Sequence, residues 1–285
     1  MNMDKLYDNV STKGIVCLGL DTSAAYLPEH ILTKGGDPAE AILQFNRAII
    51  DATRDVVACY KVQIAYYEAL GLRGMSTFAR TLKYIKDAGQ LVITDCKRGD
   101  IKESAEMYAK AHFSGDFETD FVTVNPYMGM DTLEPYEPYF AAGKGCFVLM
   151  RTSNAGAKDF QYLDVNDRKI YEIVGEKLQK FGERYIGARG YSAVGAVMGA
   201  TNVEEIRKLR KMLGTTFLLI PGFGAQGGKA EDAAQFLKDG NGGVVNSSRG
   251  ILTAWKKAEN GENCFAECAR AEAIAMNNAI LGKTA

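Results

Sequence analysis

The sequence predicts a closed (β/α)8 barrel, the TIM-barrel architecture, formed as a single domain over residues 1–285. Three observations predict it. A strand-like apolar run followed by a helical stretch recurs about eight times. No low-complexity linker or shift in composition interrupts that rhythm. The apolar runs are near-continuous rather than alternating, as expected for parallel strands buried on both faces. An open doubly wound sheet is the alternative, but no nucleotide fingerprint follows the first strand.

Taken in order, Ile15–Asp21 is the first strand, and the punctuation Gly35-Gly36-Asp37 introduces a helix over Pro38–Val56. Val57–Lys61 is the second strand, followed by helical Ile64–Leu70 and Ser76–Ala88. Leu91–Asp95 is the third, with a helix from about Lys102 to Phe113. Phe121–Asn125 is the fourth, with a short helix around Thr132–Ala141. Cys146–Arg151 is the fifth, with a long connection and a helix over Asp167–Phe181. Val194–Met198 and the helix Asn202–Met212 form the sixth unit, Thr216–Ile220 and Lys229–Lys238 the seventh. Gly243–Asn246 is the eighth strand, and a helix near Asn263–Leu281 closes the chain.

Bulk properties exclude several classes. Hydrophobic residues make up 47% of 285, too many for disorder and enough for a sizeable core. The net charge of −1, with interspersed signs, leaves no basic footprint for nucleic acid or an anionic membrane. The N-terminus lacks the regions of a secretion signal, and no apolar stretch approaches the ~20 residues of a membrane span. A soluble, cytoplasmic protein is expected. Cys17, Cys59, Cys96 and Cys146 lie in strand-like runs, where reduced cysteine acts as a small hydrophobe. Cys264 and Cys268 share one face of a helix, but His30 and His112 are isolated, so no metal site is expected.

The charged residues that end apolar runs carry the functional signal. Asp95 and Lys97 stand at i and i+2 of a strand, hence on one face, with Cys96 turned into packing and Asp100 three residues on. Lys61 ends another apolar run. A lone Asp-x-Lys reads most simply as a solvated ion pair. Two carboxylates and two ammonium groups at strand ends beside a core suit proton transfer on a negative substrate.

Barrel active sites form at the C-terminal strand ends. That rim collects Asp21, Lys61, Asp95, Lys97, Asn125, Arg151-Thr152-Ser153-Asn154, the Pro221–Gly228 loop and Ser247-Ser248-Arg249-Gly250. The loop after strand seven has four glycines within residues 222–228, which allow close approach of backbone N–H groups to a ligand. Arg249 after strand eight could pair two guanidinium donors with phosphate oxygens. A glycine run alone is an ordinary turn; joined to Arg249 it points to a monophosphorylated small molecule.

With these residues in hand, the sequence resembles the orotidine 5′-monophosphate decarboxylase family, in its longer bacterial branch. Asp95-Cys-Lys97-Arg-Gly-Asp100-Ile101 matches the family signature Asp-x-Lys-x-x-Asp-Ile, and Leu18-Gly19-Leu20-Asp21, Lys61, Ser153-Asn154, the Pro221–Gly228 loop and Arg249 follow in matching order. The resemblance implies cofactor-independent loss of carbon dioxide from orotidine 5′-monophosphate to give uridine 5′-monophosphate, the last step of de novo pyrimidine synthesis. It implies Lys97 as proton donor to pyrimidine C6 and Asp95 beside the departing carboxylate. Lys61 would link ribose to the charged network, and Asp21 would bind a ribose hydroxyl. Asp100, Ile101 and Ser104 would come from the neighbouring subunit of a homodimer. Ser153 would contact the pyrimidine edge, and Gln226 and Arg249 would hold phosphate. Ser104 departs from the family's frequent threonine and Lys102 from its frequent proline; neither changes the charged quartet. The nearest rival, a sugar-phosphate decarboxylase or aldolase-like barrel using Mg²⁺, needs further carboxylates near strand ends; Glu68 after strand two is a possible ligand but falls on the following helix. A nucleotide-binding sensor on a dead barrel is the other rival, and the intact quartet speaks against it.

Overall fold

A computed structural model describes residues 1–199, 203–221 and 233–282. Eight parallel strands close into a barrel: β1 (Val16–Gly19), β2 (Cys59–Gln63), β3 (Val92–Arg98), β4 (Phe121–Val124), β5 (Gly145–Arg151), β6 (Val194–Met198), β7 (Leu218–Ile220) and β8 (Gly243–Ser247). Each strand pairs with its neighbours in sequence, and β8 returns to β1 with Cys17 opposite Asn246. Cys17 also stands opposite Cys59 of β2. These strands are buried along most of their length, which is why their sequences are apolar without alternation.

The expected helices lie between the strands, with shifted ends. Pro38–Thr53 starts where Asp37 accepts a hydrogen bond from Ala39 N–H and Pro38 supplies a preset φ at the first turn. Gly71–Asp87 begins five residues before the expected Ser76, and Lys102–Phe113 matches its prediction. Pro135 keeps Met130–Tyr136 in a 3₁₀ conformation before the short helix Glu137–Ala141. The long connection after β5 contains a small antiparallel hairpin, Asp164–Val165 with Arg168–Lys169, ahead of the helix Ile170–Gly182. Val203–Met212 and Phe265–Leu281 cover the later strands. Cys264 and Cys268 do share a face, their sulfurs 3.8 Å apart.

One helix was absent from the sequence expectation. Asn2–Lys13 precedes β1 and buries Met3, Leu6 and Val10, a spacing of three and four that marks one helical face. Its Asn2 N–H donates to Gly143 O and its Asn2 side chain to Asp120 Oδ1, so it caps the N-terminal end of the barrel, opposite the expected site. The Gly-rich loop from 222 onward, with Gln226, and the residues expected to start helices at Asn202 and Lys229 lie outside the described residues. Among the described residues, no helix is long and apolar enough to cross a membrane.

Candidate active site

The C-terminal ends of β1, β2 and β3 bring four charges into one chain. Lys61 is the third residue of β2, opposite Gly19, and its side chain is 6% exposed. Its ammonium lies 2.8 Å from Asp21 Oδ1 and 3.2 Å from Asp95 Oδ2. Lys97 Nζ lies 2.6 Å from the other Asp95 oxygen, Oδ1. The order Asp21, Lys61, Asp95, Lys97 alternates in sign, so each inner charge has an opposite charge on both sides. Only Lys97 opens well to solvent, with 45% of its side chain accessible. An ammonium has three donors, and Asp95 takes one from Lys97. Among the described residues, Asp95 is the one hydrogen-bond acceptor given for this ammonium.

Neighbouring polar groups hold this chain in place. Ser248, just after β8, donates to Asp21 Oδ2 at 2.8 Å, and Gln63 Nε2 donates to Asp95 Oδ2 at 3.0 Å. Gly19 makes room for the serine: a Cβ there would lie 1.9 Å from Ser248 Oγ.

Lys97 reaches Asp95 by a different route from a regular pleat. Thr94 of β3 stands opposite Val122 of β4 and Arg98 opposite Val124, so β3 carries two extra residues in a bulge. Inside it Lys97 has φ 46°, the left-handed region that non-glycine residues rarely occupy, at a cost of roughly 1–3 kcal/mol. Thr123 of β4 holds the bulge. Its hydroxyl accepts from Cys96 N–H at 3.0 Å and Lys97 N–H at 2.8 Å, and donates to Asp95 Oδ1 at 3.0 Å. One hydroxyl thus ties the main chain of the lysine to the carboxylate that its ammonium meets.

The electrostatics follow from this arrangement. Burial alone would raise the Asp95 carboxyl, but Lys61, then Lys97, and the hydrogen bonds from Lys97 and Thr123 bring it down to about 2. Burial alone would lower the Lys61 pKa; Asp21 and Asp95 outweigh it and hold the amine above the ordinary lysine range. Asp95 and Lys61, the two inner members, therefore stay charged at neutral pH. Arg98, next to Lys97, donates to Nε2 of buried His112 at 3.2 Å and stacks over Tyr108, 4.9 Å from the ring centre. Burial, then Arg98, push the His112 imidazole down to about 4.

The remaining expected residues are placed less uniformly. Asp100 turns onto its own loop, its Oδ1 accepting from Ile101 N–H, and makes no ion pair among the described residues. Ile101 is 49% exposed and Ser104 is also exposed, on the first turn of Lys102–Phe113. Ser153 is half-buried after β5, and Arg249 is exposed at the start of the short helix Arg249–Leu252. Gln226 is outside the described residues. One rim reading needs correction. Arg151 is buried within the protein, its guanidinium on Gly199 O and Glu205 rather than facing a ligand. Asn125 is exposed just after β4, its N–H donating to Arg98 O and its Oδ1 accepting from Tyr127 N–H.

Thr123, Gln63 and Ser248 were not assigned roles from sequence. Each sits at or just past the end of a strand, so strand position carried a signal, but a lone threonine in an apolar run reads as packing. Among the described residues, no group of three or more His, Cys, Asp or Glu side chains is arranged to hold a metal ion.

Comparison with known proteins bears on this geometry. The family profile described as "Orotidine 5′-phosphate decarboxylase / HUMPS family" matches residues 14–264. The orotidine 5′-phosphate decarboxylase of Clostridium novyi is 59% identical over 280 residues, covering 98% of this chain and 98% of that protein. That of Clostridium tetani is 58% identical over 283 residues, covering 99% and 98%. The crystal structure of a putative orotidine-monophosphate decarboxylase from Toxoplasma gondii superposes with a TM-score of 0.81 at 31% identity, covering 98% of each chain.

Proposed function

The chain belongs to the orotidine 5′-phosphate decarboxylase / HUMPS family and is a carboxy-lyase converting orotidine 5′-monophosphate to uridine 5′-monophosphate in pyrimidine biosynthesis, and we propose that Lys97 donates the proton that replaces the departing carboxylate. The observation that carries this reading is the Lys97 ammonium, 2.6 Å from Asp95 and open to the barrel mouth at the end of an alternating chain of charges. Loss of carbon dioxide leaves an electron pair on an sp² carbon with no ordinary resonance sink. In this reading the protein uses no cofactor. A preorganised cation stabilises the developing carbanion and then protonates it.

Repulsion between Asp95 and the substrate carboxylate contributes less. Two like charges ~4 Å apart interact by ~4 kcal/mol at an effective dielectric near ~20. Enzymatic barrier reductions span roughly 8–23 kcal/mol. Attraction to Lys97 in the transition state carries more, helped by binding energy from the phosphate. Asp21 and Lys61 serve the ribose, Ser153 the pyrimidine edge, and Gln226 and Arg249 the phosphate.

The quartet is completed by a second copy. Asp100 makes no ion pair within its own chain among the described residues, while Ile101 beside it and Ser104 on the first turn of the following helix are exposed. In a homodimer these three reach the partner's site, placing a second carboxylate beside Lys97. Residues 1–285 act as one barrel domain. A cytoplasmic location fits six unpaired cysteines, which suit a reducing compartment.

The test follows loss of orotate absorbance with purified protein and no added cofactor. Lys97→Ala is expected to abolish turnover while uridine 5′-monophosphate still binds. A variant retaining most of the rate refutes the proton-donor role.

A further inference from the structure

β5 ends in a charge that no solvent reaches. The Arg151 side chain is 0% exposed. Nη2 and Nε donate to Gly199 O at 2.8 and 3.3 Å, Nη1 donates to Glu205 Oε2 at 2.8 Å, and the guanidinium lies 5.4 Å from the centre of the Tyr171 ring. Gly199 N–H donates back to Arg151 O at 2.8 Å. Both main-chain polar groups of Gly199, the residue after β6, are thus held by one arginine. A buried ion pair is a weak source of stability, since well-packed apolar residues often do as well. What this arrangement provides is position.

The position it sets is that of Ser153. A Cβ on Gly199 would lie 3.0 Å from both Ser153 Cβ and Ser153 N, so the glycine backbone is pressed directly against that serine. On the neighbouring residue, Gln161 Oε1 accepts from Thr152 N–H and Gln161 Nε2 donates to Thr152 Oγ1, both at 2.8 Å. The segment that carries Ser153 is therefore gripped from two sides, by Gly199 under Arg151 and by Gln161.

We propose that Arg151 is a positioning residue for base recognition: by fixing Gly199 it sets where Ser153 meets the pyrimidine edge, without touching the substrate. This rests on the assignment of Ser153 to the pyrimidine edge. Displacing a contact by about 1 Å can cost ~10²-fold in rate, so smaller shifts of Ser153 are readable in kcat/KM.

The experiment measures kcat/KM for orotidine 5′-monophosphate and Tm in Ser153→Ala, Arg151→Met, Gly199→Ala and the two double variants with Ser153→Ala. Gly199→Ala leaves both members of the buried charge pair in place, and the three atoms nearest its new Cβ among the described residues all belong to Ser153, so it guards against a misfolded Arg151→Met. Gly199→Ala is expected to lower kcat/KM by about tenfold with little change in Tm, and Arg151→Met by at least as much. In the Ser153→Ala background each effect should shrink to within about twofold, because residues acting through a shared contact are not additive. If Ser153→Ala is impaired but the other losses persist in full on top of it, the positioning role falls while the pyrimidine contact stands. If Ser153→Ala is as active as the parent, the pyrimidine contact and the inference built on it both fall.

Discussion

Replacing Thr123 with valine removes one hydroxyl of nearly the same shape and tests whether the bulge at Lys97 is held from β4. The hydroxyl makes three hydrogen bonds, two from main-chain N–H groups of Cys96 and Lys97 and one to the Asp95 carboxylate. Neutral bonds contribute about 1 kcal/mol each and a bond to a charge about 1.5–3 kcal/mol, so about 4 kcal/mol of local order depends on this atom. The left-handed Lys97 adds an incentive to relax, because its φ of 46° is retained only while the surroundings enforce it. Once the two N–H groups lose their acceptor, the bulge should shift and carry the ammonium with it. A displacement near 1 Å costs ~10²-fold in rate. Thr123→Val is therefore expected to lower kcat about 100-fold by the orotate absorbance assay, and to lower Tm by several degrees at about 2 °C per kcal/mol. Thr123→Ser keeps the oxygen and should stay within about threefold of the parent, since only a methyl group is lost. A valine variant with more than half the parental kcat would refute the claim that this hydroxyl positions Lys97, whatever happened to Tm.

Further predictions concern pH, assembly and metal. With His112 held down to about 4 by burial and Arg98, the folded protein resists a proton that the unfolded chain accepts near ~6.5. Stability should therefore fall as pH drops from ~6.5 towards ~4, by up to about 3 kcal/mol from this residue. His112→Phe should flatten that part of the profile; an unchanged slope of denaturation midpoint against pH refutes it. Lys97→Ala and Asp100→Ala, each inactive alone, should regain about a quarter of parental activity after equal mixing and full subunit exchange, because half the dimers are hybrids with one intact site of two. No recovery after proven exchange counts against the shared site. Activity on orotidine 5′-monophosphate should survive excess chelator, and its loss with restoration by Mg²⁺ would favour the metal-dependent rival.

Much of the fold was written in local pattern. Eight near-continuous apolar runs separated by helical stretches can bury both strand faces only under a layer of helices, and the barrel follows from that repetition. Failures came where local signals were weak or absent. The Asn2–Lys13 helix buries Met3, Leu6 and Val10 and packs Tyr7 beside them, among polar neighbours such as Asp4, Lys5 and Asp8. The site was legible to the same degree: Asp21, Lys61, Asp95 and Lys97 stood out because charges ending buried strands need partners, and they do partner one another.

By itself the sequence determined the barrel, the charged residues at its mouth and, through its signature, the family. Tertiary structure decided how those charges are held and which polar residues are enclosed rather than left at the rim. Thr123 is one residue in the apolar run Phe121–Asn125 and acquires its role only where β4 lies beside the bulge of β3; Arg151 reads as a rim residue in sequence, yet Gly199 and Glu205 enclose it. The reason is physical: period and burial preference act between near neighbours along the chain. A hydroxyl bridging two strands, or an arginine capturing another strand's carbonyl, depends on groups that only folding brings within 3 Å, as Thr123 and Arg151 show at 2.8 Å.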